Sequence, residues 1–198
     1  MRPRRYGDAG QAFPIYITVV GGLLFLAFAY FAVGQAAVNR NGAETAADAA
    51  ALAAAQQTRD QLAGDWVKNV LDPTKWQDIF DGEGAQPIGC GRAAQLAGQN
   101  DATVKSCAMQ TVPLGYKVTV ETNKPIGDSI VPSTTDKHSH ASATAVIGSL
   151  CHFDPPATAG GAELPRLTCK DDKIWDLDPN DLTDLPEPQD LFDVHLAD

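Results

Sequence analysis

No charged residue stands between Ala9 and Asn39, and no proline between Pro14 and Leu62. The first absence excludes an ordinary surface helix, which needs a polar stripe toward water. The second leaves nothing to break a helix that runs from the greasy segment into the alanine-rich residues after it. Bases are also scarce, 15 Lys and Arg against 25 Asp and Glu, for a net charge of -10. Binding to nucleic acid needs clustered Lys and Arg, so no nucleic-acid partner is expected. No H-E-x-x-H, G-x-S-x-G or phosphate-binding glycine loop accompanies His138, His140, His152 and His195, so the chain reads as a non-enzyme without a cofactor.

What is present begins with "FPIYITVVGGLLFLAFAYFAVGQAAV", residues 13–38, longer than the ~20 apolar residues that cross a bilayer as helix. A buried core helix or a cleaved secretory signal would each be shorter or differently flanked. Membrane lipid is therefore the first expected partner. Arg2, Arg4 and Arg5 precede the span and acids dominate beyond it, which places residues 1–12 in the cytoplasm and the rest outside.

Pro14 suits a first helical turn. From there propensity favours one helix to a stop at Gly64, a rod of about 75 Å at ~1.5 Å per residue. Residues 39–63 form its outer, alanine-rich stalk. Ala43, Ala46, Ala47, Ala50, Ala51 and Ala54 recur at neighbour spacing, continuing inward through Ala32 and Ala36. Such a face lets another helix approach closely. The competing reading is that alanine is simply the best helix former.

The stretch "GQAFPIYITVVGGLLFLAFAYFAVGQAAVNRNGAETAADAAALAAA" resembles the N-terminal region of TadE/TadG-like proteins of tight-adherence (Flp-type) pilus systems, over about residues 10–60. Thr45 to Ala55 carry the family's second element, with Asp48 at its acidic position. The resemblance implies a pseudopilin-like, membrane-anchored assembly component. Its partners would be other pilus or assembly subunits, and itself, through the N-terminal helix. A prepilin-peptidase site would carry glutamate five residues after the cleaved glycine. Ile15 follows Gly10 at that distance and Ala12 follows Gly7, so an uncleaved anchor is expected.

The remaining chain predicts an α+β head over residues 64–169. Trp66, Val67, Val70 and Leu71, then Trp76, Ile79 and Phe80, lie at helical spacing on either side of a break at Asp72-Pro73, and their aromatics read as core. "GYKVTVET" and "ASATAVIGSL" read as strands that pair antiparallel around a long excursion. Cys90, Cys107, Cys151 and Cys169 all fall outside the membrane and include no C-x-x-C pair, which favours disulfides over zinc. Of three connectivities, Cys90 to Cys107 and Cys151 to Cys169 is preferred, each closing a loop of about 18 residues and contributing ~3 kcal/mol.

Residues 170–198 carry ten acids against two lysines and three prolines, and read as a disordered acidic tail. Asp176, Asp178, Asn180, Asp184 and Glu187 fall at ligand positions of a calcium loop, although its central glycine is replaced by Asp181. These features support a second functional reading. It is a single-span surface module whose head or acidic tail recruits a partner or calcium.

Overall fold

The computed structural model describes residues 12–125, 137–154 and 164–197. The basic N-terminus and most of the excursion between the two expected strands lie outside the described residues. A single helix, α1 (Ala12–Lys68), is 57 residues long and spans about 85 Å at ~1.5 Å per residue. It continues past Gly64, the expected stop. A glycine inside a helix costs roughly 1 kcal/mol, and the buried Leu62, Ala63 and Trp66 around it outweigh that.

The chain then breaks at Asp72-Pro73 as expected. A 3-10 turn (Pro73–Lys75) leads into α2 (Trp76–Phe80). Trp66, Trp76 and Phe80 are buried, and they join Phe153 and Phe192 in one aromatic cluster. The Trp66 and Trp76 rings lie 5.4 Å apart between centroids, and those of Phe80 and Phe192 5.7 Å. Such tilted pairs add to the burial of large apolar rings.

The head is built on two sheets. In chain order the strands are β1 (Ala102–Thr111), β2 (Leu114–Thr122), β3 (His140–Ser149), β4 (His152–Phe153), β5 (Leu167–Thr168), β6 (Ile174–Trp175) and β7 (Phe192–Leu196). The larger sheet is four-stranded and antiparallel in the order β1-β2-β3-β7, and β4, β5 and β6 make a three-stranded one. The expected pairing of β2 with β3 is present, with Val118 opposite Ala143. Tyr116, Val118 and Val120 are fully buried on the face toward α1, while Lys117, Thr119 and Glu121 alternate to the other. Both expected disulfides are formed. Cys90–Cys107 joins α3 (Cys90–Gln99) to β1, and Cys151–Cys169 closes the loop between β3 and β5.

Residues 170–197 are not a disordered tail. They return to the head, where β7 pairs with β3 from Ala145–Leu196 to Ser149–Phe192. Just before it, α4 (Pro188–Leu191) is held by a reciprocal cap, the Glu187 backbone N–H donating to Asp190 Oδ2 at 3.0 Å. Leu191 is fully buried and Phe192 almost so. The physical reason is that "FDVHL" alternates apolar and polar residues, and its apolar side completes the core that β3 leaves open. The head therefore runs from within α1 to the end of β7.

Lys173 Nζ donates to Asp190 Oδ1 at 2.9 Å, and this bond holds the Asp190 carboxyl below the ordinary carboxylate range. A depressed folded value means stability that is present above the unfolded pKa, near 3.9, and lost as pH falls through the folded one. On acidification below about pH 4, wild type should thus lose more stability than Lys173→Met, measured as the shift of the urea midpoint. Deleting residues 171–198 removes β7, Leu191 and Phe192. Because Leu or Phe truncation to alanine alone costs about 2–5 kcal/mol, cooperative thermal melting of the head should disappear. A truncated head that still melts sharply would mean that these residues are no part of its core.

Candidate functional site

The candidate site is the alanine face of α1, and the helix divides sharply along its length. None of the side chains described between Pro14 and Gly42 is buried, whereas Ala43, Ala46, Ala50, Ala51 and Ala54 are fully buried and Ala47 nearly so. Asp48 sits half-buried on its flank, Ala32 is half-exposed, and the side chain of Ala36 lies outside the described residues. What covers the buried half is the protein's own head: β2, β3, β7 and α3 all pack on α1.

This corrects the expected destination of the face. A second helix does approach closely, but it belongs to the same chain. α3 presents the fully buried Ala93 and Ala97, and its N-cap Gly89 stands so near that a Cβ there would overlap the backbone of Ala54. Small residues on both helices remove the side chains that would hold the backbones apart. Ala55, four residues after Ala51, extends the ladder, and Ala53 is buried as well, off it. At ~100° per residue, positions 50, 51, 53, 54 and 55 cover about 200° of the circumference, because the sheet packs on one flank and α3 on the other. Alanine recurs around most of the helix for that reason.

A buried polar knot fixes the register of these layers. Gly89 N–H donates to Tyr116 Oη at 3.1 Å, and the Tyr116 and Thr58 hydroxyls lie 3.0 Å apart. Tyr116 Oη also reaches the Gln86 carbonyl at 3.2 Å. Helix, sheet and the α3 approach thus share one hydrogen-bonded centre. At the other end of the head, Asn39 clamps the helix to the end of β2. Its Nδ2 donates to the carbonyls of Lys124 and Pro125, each at 3.2 Å, and its Oδ1 accepts from Thr122 Oγ1 at 3.3 Å.

The calcium candidates are not gathered. Asp176 pairs with Arg166 at 2.8 Å, in an open cleft where the guanidinium opposes a cation. Asp178 accepts from the Asn180 backbone N–H at 2.8 Å in a local turn, Glu187 caps α4, and Asp184 stands exposed. Among the described residues no group of three His, Cys, Asp or Glu side chains is arranged to hold a metal ion. The histidines are dispersed. His140 meets Glu121 at 3.1 Å and His195 meets Asp193 at 2.9 Å, both at the surface, while His138 Nδ1 lies 2.6 Å from the Thr122 carbonyl.

Replacing Ala47 and Ala51 together by leucine should overpack a closed interface at a cost of about 1–3 kcal/mol each. The exposed change Gln56→Leu should leave the head within about 0.5 kcal/mol of wild type. Urea midpoints of the three proteins check this, and equal midpoints would mean that the alanine face is not closed.

No characterised protein and no solved structure is significantly similar to the chain. A family model does match, over residues 10–57, described as "Putative Flp pilus-assembly TadE/G-like". The match begins beside the exposed apolar half of α1 and ends just past its buried alanine face. It is on this helix that the chain is similar to the Tad family of Flp pilus-assembly proteins.

Proposed function

We propose that the chain is a membrane-anchored, pseudopilin-like component of a Flp/Tad-type pilus or secretion system, with a structural and not a catalytic role. Its N-terminus lies in the cytoplasm and its head outside. The observation that carries this reading is the Tad match falling on one unbroken helix of two characters. The lower half is long and apolar enough to span a membrane, and none of its described side chains is buried. The upper half is wrapped by a disulfide-bonded head, as suits an oxidising exterior.

The alanine face does not itself separate an assembling subunit from a solitary anchor, because the head occupies it. The exposed apolar half of α1 is what remains for lipid and for other subunits. Its Gly21, Gly22 and Gly34 would meet nothing within 4 Å if given a Cβ, so that surface is open within the chain.

Protease added to spheroplasts should degrade the head and leave an N-terminal tag protected. Alkaline carbonate should not extract the protein, and impermeant thiol reagents should label its four cysteines only after reduction. Loss of the protein should abolish surface pili in a strain that makes them. An extractable protein, or a protected head, would overturn the topology. Normal piliation without it would overturn the role.

A further inference from the structure

Where α1 leaves its apolar half, the head does not stand clear of it. Lys124 and Pro125, at the end of β2, hang beside the helix and form a cleft of about 530 Å³ with Tyr30, Phe31, Gly34 and Val38. The helical wall extends over roughly 12 Å, eight residues at ~1.5 Å. It is continuous with the exposed surface of the span, Tyr30 being 83% and Val38 72% exposed. Gly34 opens the floor, since a Cβ there would meet nothing within 4 Å. The opposite wall is Lys124 and the apolar Pro125, and Lys124 carries an ammonium whose pKa is raised by a hydrogen bond to Asp101 at 2.8 Å. That ion pair is 75% and 70% exposed, so it is weakly held and can exchange partners.

We propose that this cleft seats one phospholipid, its phosphate on Lys124 and an acyl chain along Tyr30, Phe31 and Val38. The proposal rests on the membrane-anchored reading above. An apolar wall that continues the spanning surface and a cation on the facing wall match the two ends of such a molecule. A lysine stem can cover apolar surface while its ammonium meets a headgroup. Asn39 makes the arrangement durable, because its bonds to the Lys124 and Pro125 carbonyls hold that wall against the helix.

The test uses the full-length chain in detergent micelles doped with dioleoylphosphatidylglycerol or with dioleoylglycerol, which lacks the phosphate. Native mass spectrometry reads what stays bound. Wild type should retain one phosphatidylglycerol and far less diacylglycerol. Gly34→Leu fills the floor without a clash inside the chain and should lower retention about tenfold, equivalent to ~1.4 kcal/mol. Lys124→Gln should remove the preference for the phosphate-bearing lipid. Equal retention in wild type and Gly34→Leu would overturn the proposal. So would a lipid-free dimer that Gly34→Leu converts to monomer, which would make the cleft a protein contact. Carbonate resistance of the same variants keeps the questions apart. If wild type is extracted, the anchored reading fails; if it resists extraction yet holds no lipid selectively, only the cleft proposal fails.

Discussion

The structure depends on how closely two layers can approach one helix. Between Ala43 and Ala55, α1 has the sheet on one flank and α3 on the other, and alanine is the side chain that leaves both within contact. Gly89 and Ala93 complete the same close approach from the opposite side. Within this zone the buried side chains of the helix are all alanine, and Leu52 is only partly buried. Beyond it, Leu62, Trp66 and the aromatic cluster supply the bulky core that the alanine segment lacks. The head thus has a thin, backbone-close middle and a thick aromatic end.

The two disulfides act at different places in this arrangement. Cys90–Cys107 pins α3 to β1, so the helix that covers the alanines is tied to the edge of the sheet that covers their other side. Cys151–Cys169 holds the exit from β3 near the start of the segment that returns through α4 to β7. The bridged cysteines are 17 and 18 residues apart, loops for which chain-entropy arguments give ~3 kcal/mol each.

Much of this is legible in the sequence, and what escapes it has physical causes. The apolar half of α1, the long helix, β2, β3, the break at Pro73 and the bridges come from uncharged length, propensity, alternation and cysteine spacing. β1 is hidden because the register shifts between Val104 and Ser106, which interrupts the alternation of "ATVKSCAMQT". β7 is hidden by composition: "FDVHL" has a clear period of two, but it lies among so many acids that charge outweighs pattern. The alanine ladder marks a surface for close packing without naming the partner. Spacing along one helix carries no information on whether that partner is the same chain or another, and Ala53, buried off the ladder, is the sign that the helix is enclosed beyond one face.

The Asn39 clamp has a mechanical consequence. Apolar helix and head meet at a hydrogen-bonded junction, with no flexible linker between the last exposed apolar residue, Val38, and the first buried one, Ala43. On the membrane-anchored reading proposed above, helix and head turn together as one lever with its fulcrum at the membrane surface. From Asn39 to Lys68 the arm is about 43 Å at ~1.5 Å per residue, so a tilt of ~10° in the bilayer carries its far end sideways by about 7 Å. On that reading, bilayer thickness and the packing of neighbouring spans set where the outer end of the head lies.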